Sequence, residues 1–322
     1  MRWRSKRNAY HLARMSTKRE IALVSGGVDS ILVTAKHHDA QPLFIDYGQR
    51  EYESESAAVT RLWPNALRMQ VPTIVPRGTY FPARNLLLAT CAVACADADI
   101  VLLGGMADDY CADKTPEAFD AMATILSVQA GRTVDVISPF WKTTKAQAIA
   151  DYIDDGNDEE RLMFAFSCYS PKSGRSCGDC PACFRKACAF AANNLPAQQI
   201  SERMFDNYFA RLHTFPAARQ WSIIHAYRQQ GGTIVAVDID GILTTDTQGH
   251  DYAFRTPNAD AIAELNGMTA KRILWSARRE CYRETTVLWL ARNEVRYEAL
   301  ILDKLPVDLF YEDLSLRELK PC

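Results

Sequence analysis

At 322 residues the chain is long enough for about two domains. Hydrophobic residues at 48% and charged residues at 24% are ordinary for a soluble globular chain, and a net charge of −2 gives no reason to expect a large nucleic-acid or membrane surface. No apolar run approaches membrane-spanning length. The longest, residues 86–96, is ended by Asp97 and Asp99. The start carries Arg2, Arg4, Lys6, Arg7 and Arg14 without an apolar core. It is therefore expected to be a basic, disordered tail over 1–17, with Met15 as an alternative start, rather than a secretory leader.

Residues 21–24 are apolar and read as a buried strand, and residues 31–36 read as a helix. Between them stands Ser25-Gly26-Gly27-Val28-Asp29-Ser30. A turn of this composition between strand and helix is a pyrophosphate cradle. The glycines let the backbone come close, and free N–H groups and the positive helix end face an anion. It is not the Walker A loop, which ends in Gly-Lys-Ser/Thr; a plain glycine turn is the alternative. Further strands are expected at 42–46, 67–71, 100–104 and 134–138. They alternate with helices at 51–62, 86–96, 116–130 and 145–152. Such alternation argues for a parallel, doubly wound sheet covered on both faces, with ligands at the carboxyl ends of its strands.

Ten cysteines are present. Cys91 and Cys95 share an apolar helix face and are expected in the core. Cys168, Cys177, Cys180 and Cys183 are bunched, and the two short spacings bring sulfurs close enough for one tetrahedral ion. Four thiolates make a closed site, which favours structural zinc; an iron–sulfur cluster is the alternative. Scattered cysteines without a leader point to a reducing, cytoplasmic setting.

Residues 198–230 look helical and end at Gly231-Gly232, and a second βα series begins at Thr233. The expected fold class is α/β: two doubly wound parallel-sheet (Rossmann-like) domains with a four-cysteine metal loop and a helical connector. The boundaries are a tail at 1–17, a first domain at 18–195, a connector at 196–232 and a second domain at 233–322. In the last, an apolar strand from Val235 ends in Asp238-Ile239-Asp240-Gly241. Carboxylates two apart at a strand end point the same way, suiting a magnesium ion with one oxygen free to attack phosphorus. A second strand ends at Ser276, and Lys304 and Tyr311-Glu312-Asp313 follow.

The first loop resembles the PP-loop of ATP pyrophosphatases. With the cysteine cluster, it resembles the 7-cyano-7-deazaguanine synthase family over about residues 18–190. The matching pieces are residues 25–30, Tyr47-Gly48-Gln49-Arg50, Pro82-Ala83-Arg84-Asn85, Gly104-Gly105 with Asp109-Tyr110, Lys145, and Ser167-Cys168-Tyr169 through Arg185. The resemblance implies a ligase that uses ATP to adenylate a deazaguanine carboxylate and ammonia to displace AMP, giving amide and then nitrile. Ser25, Gly26, Gly27, Asp29 and Ser30 would then hold pyrophosphate, with magnesium neutralising its charge. Lys145 would stabilise the leaving group, and Arg84, Asn85 and Asp109 would line the nucleotide and substrate pocket. Read without the resemblance, Lys145 is a surface lysine opening a helix, Arg84 a loop salt bridge and Asn85 a helix N-cap.

One stretch departs from that family. Where its members typically carry Ser-Gly-Tyr-Pro-Asp-Cys-Arg, this chain has Cys111-Ala112-Asp113-Lys114-Thr115-Pro116, one residue shorter. That segment helps form the family's base-recognition pocket, so the acceptor is in question, although Asp113 can accept hydrogen bonds from a guanine-like edge. Relatives in antiviral operons attach deazaguanine to other molecules.

Residues from about 233 to 319 resemble haloacid dehalogenase-type phosphatases. That resemblance implies Asp238 as nucleophile, Asp240 as general acid/base, and Ser276 and Lys304 on the phosphoryl group. Asp238, Asp240 and Asp313 would hold magnesium, and the substrate would be a small phosphorylated molecule. The expected cofactors are ATP, Zn2+ and Mg2+. A homodimer is compatible with these features, and no membrane partner is expected. Two other readings remain: adenylation of a tRNA base or protein acceptor, and an ATP-sensing module without turnover.

Overall fold

The computed structural model describes residues 18–71, 81–109, 111–246 and 251–304. The expectations for the basic tail, Tyr110, Glu312 and Asp313 lie outside these residues. The chain divides into two compact units, one ending at Gln198 and the other beginning at Gln199.

The first unit is built on five parallel strands: β1 (Glu20–Leu23), β2 (Gln41–Asp46), β3 (Leu67–Gln70), β4 (Ile100–Leu102) and β5 (Asp135–Ile137). Their order is β3-β2-β1-β4-β5, so β1 is central. Ile21 stands opposite Gln41 on one side and Val101 on the other. Strand residues alternate between two cores, because successive side chains point to opposite faces. Ala22, Phe44 and Leu102 pack against α1 (Val28–Lys36), α2 (Tyr52–Leu62) and α5 (Lys145–Asp154). Ile21, Leu43 and Val101 pack against α3 (Arg84–Ala96) and α4 (Pro116–Ala130). Coverage of both faces explains why β1 reads as a continuous apolar run. The doubly wound arrangement expected from the sequence is therefore present. Cys95 is a correction: it is exposed, while Cys91 is buried, because the far edge of α3 turns toward solvent there. Two short helices, α6 (Glu159–Met163) and α7 (Pro181–Ala191), complete this unit.

The second unit holds three parallel strands in the order β6-β7-β8: β6 (Ile234–Val237), β7 (Lys271–Trp275) and β8 (Ala299–Ile301). One core joins Leu274 and Leu300 to α10 (Ala259–Gly267) and α11 (Arg283–Arg292) through Leu265, Trp289 and Leu290. Helices α8 (Glu202–Phe209) and α9 (Ala217–Gln229), in the stretch expected as a connector, fall in this unit. Lys271 of β7 is ion-paired to both Glu202 and Asp206 of α8. Among the described residues no helix is long and apolar enough to cross a membrane.

Candidate active site

The loop between β1 and α1 is shaped by its two glycines. Gly26 has φ +77°, and a Cβ there would stand 2.6 Å from the Ala58 Cβ. Gly27 is the N-cap of α1 and offers no side-chain cap, so no side chain of the cap residue competes for the first amide groups of the helix. Two donors of residues 25–30 are used within the stretch: the Ser25 N–H donates to Ser30 Oγ and the Ser30 N–H to the Gly27 carbonyl, each at 3.1 Å. The Gly26 carbonyl accepts from the Phe166 N–H at 2.8 Å, which ties the loop to the segment leading into the cysteines.

Asp29 sits at the first turn of α1 and reaches the end of β4. A Cβ on Gly104 would stand 2.6 Å from the Asp29 Cβ, so the close approach requires glycine. Lys145 Nζ lies 2.5 Å from Asp29 Oδ1. Its helix opens with a capping box between Thr144 and Gln147, and its own N–H donates to Asp108 Oδ1 at 3.0 Å. Lys145 is thus a buried cationic group rather than a surface lysine. Lys114 Nζ lies 3.4 Å from Asp29 Oδ2 and 3.5 Å from Asp109 Oδ2. Asp109, almost wholly enclosed, also receives Arg185 at 2.6 Å. Burial opposes ionisation of Asp29, but Lys145 and then Lys114 outweigh it and hold its carboxyl well below the usual carboxylate range.

These groups line a cavity of about 240 Å³ together with Ser25, Gly27, Ser30, Arg84 and Asn85. Asn85 is buried and donates through Nδ2 to the Asp113 carbonyl at 3.1 Å, so it braces the segment at 111–116; the N-cap of α3 is Ala83 instead. Both carboxylate oxygens of Asp113 are buried without a hydrogen-bond partner. Sequence reasoning missed Lys114 and Glu55 at this cavity. Glu55 Oε2 accepts from Gln49 at 3.0 Å. Burial first, and Glu51 to a lesser degree, push its carboxyl up to about 7 against the Gln49 hydrogen bond. Position Glu55 follows Tyr47 through Arg50, and its placement on the inward face of α2 is the signal that was available.

The Cys168, Cys177, Cys180 and Cys183 sulfurs lie within 4.8 Å of one another. A tetrahedral zinc with bonds of about 2.3 Å needs sulfurs roughly 3.8 Å apart, so the donor set fits one ion after small adjustment. The N–H groups of Ser170 and Cys177 both point at Cys168 Sγ at 3.3 Å, and that of Asp179 at Cys177 Sγ at 3.3 Å. Such donors suit thiolates. Cys180 precedes α7 and Cys183 lies in its first turn, with Pro181 opening the helix.

In the second unit, the carboxyl ends of β6 and β7 bring together four residues singled out from the sequence. Lys304 Nζ lies 2.9 Å from Asp238 Oδ2, and the Ile239 N–H donates to Asp238 Oδ1 at 2.7 Å. Ser276 is buried, and its hydroxyl accepts from the Arg278 N–H at 3.3 Å. Asp240, expected as general acid/base and magnesium ligand, is engaged by an arginine. Both of its oxygens are held by Arg278, Nε to Oδ2 and an Nη to Oδ1, each at 2.8 Å. Arg278 is itself fully buried, with its guanidinium 4.4 Å from the Tyr252 ring centre. Among the described residues the four cysteines are the cluster able to hold a metal, and the aspartates of this unit do not form one.

A glycine loop at the carboxyl end of a parallel sheet, beside two lysines and four cysteines that could hold a metal ion, defines the first unit as an α/β protein with a ligand-sized cavity at its strand ends. The comparisons with known proteins narrow that class. The family described as queuosine biosynthesis protein QueC matches residues 64–194. A 7-cyano-7-deazaguanine synthase of Anaeromyxobacter sp. (strain Fw109-5) is 30% identical over 229 residues, which cover 58% of this chain and 97% of that protein. Synthases of Methylobacillus flagellatus and Nitrosomonas eutropha are each 30% identical, over 94% and 96% of their lengths and 56% of this chain. The chain belongs to the 7-cyano-7-deazaguanine synthase family, and the matched residues make up somewhat more than half of it.

Proposed function

We propose that the first unit is an ATP-dependent carbon–nitrogen ligase that adenylates a deazaguanine carboxylate and lets ammonia displace AMP, giving amide and then nitrile. The observation that carries this reading is the Asp29–Lys145 pair beside the glycine loop, inside a cavity also lined by Arg84 and Asn85. Ser25, Gly26, Gly27 and Ser30 hold the pyrophosphate, and magnesium supplies charge neutralisation when it accompanies ATP. Asp109 anchors Arg185 and Lys114 at the cavity wall, and zinc on the four cysteines fixes the loop leading to α7. The test is AMP release with ATP, magnesium and ammonia, with and without 7-carboxy-7-deazaguanine, followed by mass spectrometry, with Asp29→Ala as control. Amide and nitrile formation lost in the variant is the expected result. AMP release with neither product would instead favour another acceptor, such as a protein or nucleic acid in antiviral defence, read through the altered segment at 111–116. Nucleotide binding without any AMP would favour a sensing module.

A second activity is favoured by the convergence of Asp238, Ser276 and Lys304. We infer that the second unit is a magnesium-dependent phosphatase acting on a small phosphorylated molecule, with Asp238 as nucleophile and Ser276 and Lys304 on the phosphoryl oxygens. Asp238, Asp240 and Asp313 would hold the metal. Asp240 serves as general acid/base only after its Arg278 fork opens. The full chain should hydrolyse p-nitrophenyl phosphate or a nucleotide, and Asp238→Asn should abolish the activity; a wild-type protein inert to all of these would overturn the reading.

A further inference from the structure

Lys114 lies in the segment 111–116, which the sequence reading sets apart from the family it resembles, and it lines the same cavity as Ser25, Gly27 and Ser30. Its position is set from both sides. The Lys114 N–H donates to the Cys111 carbonyl at 2.9 Å, and the next residue, Thr115, caps α4 by accepting from the Ala118 N–H. Nζ is held between two carboxylates at 3.4 Å and 3.5 Å. A well-formed charged hydrogen bond is about 2.7–2.9 Å, so Lys114 is shared between Asp29 and Asp109 and tightly bonded to neither. Lys145, by contrast, is at 2.5 Å from Asp29. Three cations, Lys114, Lys145 and Arg185, therefore meet two aspartates, Asp29 and Asp109, which leaves positive charge for an incoming anion. Burial opposes the Lys114 charge, but Asp29 and Asp109 more than offset it and its pKa lies above the ordinary lysine value. It is a fixed cation at neutral pH, unsuited to act as nucleophile or base.

We propose that Lys114 is a further catalytic residue of adenylation, binding the departing pyrophosphate together with Lys145. This rests on the ligase reading above. In the step, an oxygen of the acceptor carboxylate bonds to the α-phosphorus of ATP. The bond from that phosphorus to the α–β bridging oxygen breaks, and its electron pair leaves on pyrophosphate. No proton is transferred. Lys114 Nζ turns from its long carboxylate contacts to donate N–H bonds to the pyrophosphate oxygens as charge accumulates there. The divergent segment then supplies chemistry as well as altered acceptor recognition.

The experiment uses the full chain as wild type, Lys114→Met and Lys114→Arg. It measures pyrophosphate affinity by calorimetry, exchange of labelled pyrophosphate into ATP with 7-carboxy-7-deazaguanine but no ammonia, and thermal unfolding. The methionine variant should lose about 10-fold or more in pyrophosphate affinity and about 100-fold in exchange rate. Arginine should restore most of both, and unfolding temperature should stay near wild type. Unchanged pyrophosphate affinity in Lys114→Met would overturn the proposal. Equal loss in both variants with a lowered unfolding temperature would also overturn it, in favour of a purely structural bridge. A wild type that binds neither ATP nor pyrophosphate would sink the ligase reading and the inference together. If wild type binds both but does not exchange with this acid, the acceptor assignment fails alone, and the affinities of the variants still decide the role of Lys114.

Discussion

Both units place aspartates at the carboxyl ends of parallel strands, and they treat them in opposite ways. Asp29 is met by two lysines, one close and one distant, beside an open cavity. Asp240 is gripped at both oxygens by a guanidinium that solvent does not reach. A lysine ammonium is a point charge on a flexible stem and can exchange a carboxylate for a phosphate. A bidentate arginine is a planar clamp whose release costs two bonds at once. The same residue type therefore stands beside an exchangeable cation in one unit and under a bidentate clamp in the other. A motif alone does not distinguish these states.

The largest expected effect on turnover would come from Lys145→Met, which should reduce AMP formation about 100- to 1,000-fold and lower the unfolding temperature less than loss of Arg278 does, because Lys114 still faces Asp29 at 3.4 Å. An equal loss of stability would erase the contrast with the second unit. Arg278→Met should do the reverse, destabilising the second unit by about 3–5 kcal/mol in urea unfolding because it removes both short hydrogen bonds from Asp240 and leaves only the longer contact to Arg255 at 3.7 Å. Adding Asp240→Asn should recover part of that loss. A stable Arg278→Met protein with raised phosphatase turnover would mean the clamp is a gate.

Gly104→Ala sharpens the comparison from the backbone side. Its added Cβ would meet the Asp29 Cβ at 2.6 Å, so ATP affinity should fall, by roughly 10-fold, while the fold persists. The most gradual effect, spread over a pH range, concerns Glu55. Its carboxyl is raised from 4.5 to about 7, so the folded state binds a proton that the unfolded chain has released across that interval. Stability should therefore decline as pH rises from 4.5 to 7, by about 1–3 kcal/mol in all, and Glu55→Gln should flatten that dependence in denaturant titrations. A slope unaffected by the substitution would show that the carboxyl is not buried from solvent as described.

Much of the fold was legible before any coordinates. Helix α4 spans Pro116–Ala130 as expected, because Thr115, Pro116 and Gly131 punctuate it locally. The order of strands and helices around the loop at 25–30 followed from apolar runs and glycine placement, and Cys168, Cys177, Cys180 and Cys183 announced their cluster by spacing. Such features depend on neighbours within a few residues.

The amino-acid sequence by itself determined the alternation of elements, the glycine loop, the four-thiol set and the aspartate pair at the end of β6. Only the tertiary structure decided which charges meet. Lys114 lies 85 positions from Asp29, and Arg278 lies 38 positions from Asp240. No local pattern joins residues so far apart. They meet because parallel strands bring all their carboxyl ends to one edge, where burial and the cost of leaving a charge unpaired select the partners.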